Sequence, residues 1–226
     1  MEEASNVLFS IGPLEVTSVV TTTWAIILVL GLVSWLATRN LKEVPGVLQT
    51  GAEMAVGSLR NFFEGNLGRE HGRKYFPILA TMFVFIIVSN YSGLLPGAGH
   101  LKGFAVPTAS LSVTAGLGIV AFFITHVIGV KERGLGNYLA SFAKPLILVV
   151  LMLPLNLLEQ FIRPMSLALR LYGNMYGEET VTEQLYEIFP IAVPLIMQVL
   201  SLIFCLLQAM VFTMLLSIYI AEAVEE

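Results

Sequence analysis

Five stretches of this chain, residues 19–37, 77–95, 111–130, 145–176 and 190–221, are almost wholly apolar. A helix rises about 1.5 Å per residue, so roughly 20 residues cross a hydrocarbon layer about 30 Å thick, and each stretch is near that length or beyond it. Within lipid a backbone must satisfy its own N–H and C=O groups, which leaves the helix as the conformation for single apolar stretches. Composition agrees: 56% of residues are hydrophobic, 12% are charged and the mean hydropathy is +0.82. The expected fold is therefore an all-α integral membrane protein, one membrane domain over 1–226 with five membrane-embedded helical regions.

A sixth helix of another kind is expected over 45–64. There Val47, Leu48, Met54, Ala55, Leu59, Phe62 and Phe63 alternate with Gln49, Glu53, Arg60 and Asn61, the mixture of an amphipathic helix lying on the cytoplasmic membrane surface. The chain opens Met1-Glu2-Glu3, without the basic start of a secretory signal, so 19–37 reads as an uncleaved first transmembrane helix. If the five stretches cross in alternation, Arg39, Lys42, Arg60, Arg69, Arg73, Lys74, Lys131, Arg133 and Lys144 fall on one side and Lys102 on the other. The positive-inside rule makes the first side cytoplasmic, with the N-terminus outside and the C-terminus inside. Pro96, Gly97 and Gly99, then Gly134 and Gly136, punctuate the connections.

The last two stretches are too long to stand upright. As one helix, 190–221 would extend roughly 48 Å, and 145–176 is similar, although Pro154 and Pro164 can bend it. Strong tilt or kinking is expected of both.

Arg170 stands inside the fourth stretch, aligned with Arg163, Ser166, Asn174 and Glu178 at steps of 3, 4, 4 and 4, so these polar residues share a helix face. An arginine at mid-bilayer costs at least ~2.5 to 3.5 kcal/mol and marks a functional site by default. The last stretch has its own polar row, Gln198, Ser201, Cys205 and Gln208, able to face the first. Beyond the stripe, Glu178, Glu179, Glu183 and Glu187 gather negative charge on the outer side, which draws cations towards it. Eight residues, roughly 12 Å of helix, separate Glu178 from Arg170, placing the arginine near the midplane.

The run Arg163-Pro164-Met165-Ser166-Leu167-Ala168-Leu169-Arg170-Leu171-Tyr172-Gly173-Asn174-Met175-Tyr176 resembles the signature of the a subunit of the membrane sector of bacterial F-type ATP synthases. Asn90 to Pro96, Pro107-Thr108-Ala109, Asn156, Glu159 and Gln208-Ala209 with the acidic tail extend the resemblance over most of the chain. It implies an ion-translocating stator in the bacterial cell membrane, beside a rotating ring of c subunits that each carry a mid-membrane carboxylate. Two half-channels serve the ring, peripheral-stalk b subunits hold the stator, and H⁺ or Na⁺ flow drives ATP synthesis. Arg170 matches the arginine that separates the half-channels, Asn174 its polar neighbour, Glu179 the outer-channel acid and Gln208 the facing residue of the last helix. Ser201 stands where some members carry a histidine, with Glu178 as its facing acid, and Ser110 replaces a commonly acidic residue. Glu183 and Glu187 extend an outer funnel, and Glu159 and Ser166 are candidates for the cytoplasmic exit.

Plainer roles compete with these. Arg163 is expected to snorkel to the interface, and Glu159 either faces the exit or pairs with Arg163 at i, i+4. Asn174, Gln198 and Ser201 can simply join helices. His71 is expected in a solvated basic connection, His126 bonded to a backbone carbonyl, and Cys205 as a small buried residue.

A self-contained secondary transporter or channel is the alternative function, but no internal repeat supports it. Enzymes fare worse. All 16 acids are Glu, which removes an aspartyl mechanism, and neither a Gly-x-Ser-x-Gly nor a His-Glu-x-x-His motif occurs. One cysteine excludes an internal disulfide and a multi-cysteine metal site. No cofactor, catalytic residue, metal or nucleic acid is called for.

Overall fold

The computed structural model describes residues 7–11, 14–39, 46–95, 105–141, 149–188 and 192–225. Six helices dominate: α1 (Ser18–Arg39), α2 (Val47–Ser92), α3 (Leu111–Arg133), α4 (Leu135–Ser141), α5 (Val149–Ile188) and α6 (Ala192–Glu225). A 3-10 turn at Pro107–Ala109 precedes α3, and an antiparallel hairpin, β1 (Val7–Ile11) with β2 (Leu14–Thr17), precedes α1. Strands of five and four residues are too short for alternation to announce them in the sequence.

Among the described residues α1, α2, α3 and α6 are long and apolar enough to cross a membrane, four helices where five were expected. The fifth candidate, α5, is diluted by Asn156, Glu159, Gln160, Arg163, Arg170 and Asn174. It also runs on past 176 to Ile188, through a glutamate-rich segment that contains no proline.

The helices expected over 45–64 and 77–95 are two helical arms that meet at Gly68 within α2, each extended into the connection between them. Only Gly68 departs from helical geometry, at φ 74 and ψ 165, a conformation open to glycine and strained for other residues. The two arms touch just beyond it: a Cβ on Gly72 would lie 2.8 Å from the Glu64 Cα.

The core gathers around α6, which packs against α2, α3 and α5. Ala209, Phe212, Leu216 and Ile220 of α6 meet Phe63, Leu67, Leu79 and Ile86 of α2, with Leu117 and Ala121 of α3 and Leu167 and Leu171 of α5. Small residues bring the backbones together, as expected where lipid supplies no hydrophobic drive. A Cβ on Gly118 of α3 would stand 2.8 Å from the Pro164 carbonyl oxygen of α5. Peripheral α1 buries Ser18, Thr22 and Ile26 and exposes Trp24, Leu28, Leu32 and Leu36.

Charge separates along the bundle. The ion pairs of Glu64 with Arg60 and Arg73, of Lys74 with Glu132, and of Arg163 with Glu159 and Glu222 all fall at the end that holds the Gly68 bend and the end of α6.

Candidate functional site

Arg170 is exposed on α5, and among the described residues its guanidinium has no hydrogen bond or ion pair. Leu169 beside it is 50% exposed, as are Leu207 and Val211 of α6 at 49% and 37%. A permanent charge thus stands on a lipid-compatible face. One turn along, Asn174 Nδ2 donates to Gln208 Oε1 at 2.6 Å. Gln208 is buried and its Nε2 lacks a protein partner among the described residues. Thus the two polar rows read from the sequence do meet, through the two amides and not through the guanidinium itself.

A second junction lies further towards the C-terminus of α5. The buried Ser201 and Cys205 side chains both lie close to the Glu178 carboxyl. Opposite, Asn90 Nδ2 of α2 donates to the Cys205 carbonyl oxygen at 3.3 Å and the Tyr91 hydroxyl to that of Leu202 at 3.3 Å. Glu179 is half-buried on the same helix. Glu183 and Glu187 continue it, but their side chains lie outside the described residues.

Three further side-chain oxygens are buried in the bundle. Those of Ser89, Asn90 and Thr108 have no protein partners among the described residues. Buried polar groups of this kind take ordered water. Asn90 had a signal, being an amide within an apolar run. A lone serine or threonine has none, because either can bond the preceding turn of its own helix.

At the opposite end α3, α4, α5 and α6 enclose a cavity of about 350 Å³, lined by His126, Arg133, Asn156, Glu159, Arg163 and Glu222 among others. Arg163 donates to Glu159 at 2.7 Å and to Glu222, and its guanidinium lies 5.1 Å from the Tyr219 ring centre. The i, i+4 pair is therefore present, and in place of an arginine reaching the interface alone there is one shared between two helices. His126 Nδ1 lies 2.8 Å from the Phe122 carbonyl oxygen, the backbone pairing expected. Ser166 is half-buried on α5 and does not line the cavity. His71, expected in solvent, is instead half-buried with its ring parallel to Tyr75, because the segment carrying it is helical. No group of three or more His, Cys or Glu side chains that could hold a metal occurs among the described residues.

The sequence pattern described as ATP synthase A chain matches residues 19–221. The chain belongs to that family. Its similarity to "ATP synthase subunit a 3" of Pelobacter propionicus is 43% identity over 205 residues, covering 90% of this chain and 86% of that one. "ATP synthase subunit a 1" of Syntrophotalea carbinolica is 42% identical over 208 residues, 92% and 86% of the two chains. "ATP synthase subunit a" of Geobacter sulfurreducens is 40% identical over 205 residues, 90% and 86%. As a member of the ATP synthase A chain family, the protein is a multi-pass subunit of the membrane sector of an F-type ATP synthase in a bacterial plasma membrane.

Proposed function

We propose that this chain is the ion-conducting stator subunit, in which Arg170 separates two half-channels that serve a ring of c subunits. The observation that carries the reading is the exposed Arg170 on an apolar face, without a hydrogen bond or ion pair among the described residues, next to the Asn174–Gln208 junction. A fixed cation favours the ionised form of any carboxylate carried past it, so a ring carboxylate gives up its ion there. Arginine suits the task because it stays charged when partly desolvated, whereas lysine can become neutral.

The outer half-channel runs past Glu179, with Glu183 and Glu187 as its funnel, to Glu178 and Ser201. Water held by Ser89, Asn90 and Thr108 carries the ion inwards from there. The inner half-channel is the cavity beside Glu159, with Ser166 nearer the ring. In this reading α5 also crosses, giving five membrane-embedded regions, with α5 and α6 tilted along the ring. The N-terminus lies outside, the first arm of α2 rests on the cytoplasmic surface, and peripheral-stalk b subunits bind away from the α5–α6 face.

ATP-driven ion uptake by vesicles holding the assembled complex tests this. Arg170→Ala should abolish uptake while leaving the subunit in the complex, and uptake at the wild-type rate overturns the proposal. Comparing uptake with and without Na⁺ identifies the ion, since independence from Na⁺ selects protons.

A further inference from the structure

Arg163 and Arg170 are seven residues apart, two turns and roughly 10.5 Å, on nearly the same face of α5. The turn of α5 that ends at Pro164, residues 160–164, contains Arg163 and is weak. Pro164 donates no backbone hydrogen bond, so the turn around it is held less firmly than its neighbours. Contacts from two other helices converge on this turn. On one side Gly118 of α3 presses against the Pro164 carbonyl oxygen, where a Cβ would come within 2.8 Å, and Ala168 Cβ would be 3.1 Å away. On the other, Arg163 is bonded to Glu222 in the last turns of α6 and back to Glu159 on its own helix. That part of α6 is itself tethered to α3, because Arg133 Nε donates to the Val224 carbonyl oxygen at 3.3 Å and Arg133 Nη2 to that of Glu222 at 3.4 Å.

We propose that Glu222 is a positioning residue for ion translocation: through Arg163 it clamps the proline-weakened turn of α5 to α6, and so fixes where Arg170 meets the rotor. The inference rests on Arg170 being the separator, as proposed above. Loosening the clamp lets Arg170 stray from the ring surface, so ions slip between the half-channels without turning the ring. The protein then leaks more than it loses assembly. Removing Glu222 leaves Arg163 bonded only to Glu159 on its own helix, so the tie from α5 to α6 is lost while the charge stays paired.

The test compares two quantities in vesicles, ATP-driven uptake by the complete complex and passive ion conductance after the catalytic sector is stripped. Both are normalised to the amount of this subunit in the membrane. Glu222→Gln should raise the ratio of passive conductance to driven uptake about fivefold, the scale of coupling between contacting residues. The double swap Arg163→Glu with Glu222→Arg keeps one cation between two carboxylates, including Glu159, and should restore most of the ratio. A merely structural role lowers both quantities together with subunit amount and leaves the ratio unchanged, and that result overturns the proposal. So does a raised ratio that the swap fails to lower. If Arg170→Ala retains driven uptake, the separator reading itself fails; if it abolishes uptake while Glu222→Gln behaves as wild type, only the clamp fails.

Discussion

The amide junction between Asn174 and Gln208 is the most exacting contact near Arg170, because Gln208 is buried and its oxygen has a single protein partner among the described residues. Two residues that act through one bond do not contribute independently. Asn174→Ala and Gln208→Ala should each slow ATP-driven uptake, and the double variant should be little slower than the worse single one. Initial rates of uptake, converted to free energies, measure the coupling, expected at about 0.5 to 3 kcal/mol. Independent effects would show that the bond has no part in turnover. At this scale the sequence was informative where a polar group has no local use. Arg170 and Asn90 stand out because lipid tolerates neither without a reason. Thr108 and Ser89 do not, since hydroxyls often bond their own helix, and only burial against other segments shows that these two have no such partner.

Helix positions were legible from apolar length, and helix joints were not. Several glycines could have interrupted α2; the left-handed φ fell to Gly68 because the two arms close on each other at Gly72 and Glu64. Gly134 does the same between α3 and α4, at φ 79, and turns Tyr138 back onto Gly129. A Cβ at Gly129 would collide with the Tyr138 ring. Gly129→Ala should therefore displace the tyrosine and destabilise the protein by about 1 to 3 kcal/mol, the range for overpacking. Thermal unfolding of the purified complex reads this. Repeating the substitution in a Tyr138→Ala background, where the space is open, should remove most of the cost. An equal loss in both backgrounds would place the strain elsewhere.

Across the whole molecule, Arg60, Arg73 and Lys74, which the positive-inside rule groups on one side, form ion pairs at one end of the bundle. That asymmetry was readable because it depends only on the order of spans and charges. The course of α5 was less readable, since its polar residues dilute the apolar signal that length arguments use. Lys131→Cys offers a check of orientation, because the native Cys205 is buried and should stay silent. A membrane-impermeant maleimide should label the new thiol in inverted vesicles and leave it unlabelled in right-side-out cells. The opposite pattern would reverse the topology.

The two arms of α2 have a mechanical consequence. Phe63 and Leu67 grip α6 from one arm and Leu79 and Ile86 from the other, while Gly68 joins the arms at a single bent joint. In the stator role proposed above, α6 would take a sideways torque from the ring. Gripped on both sides of the elbow, α6 would pass that load to both arms of α2 and need not bear it alone.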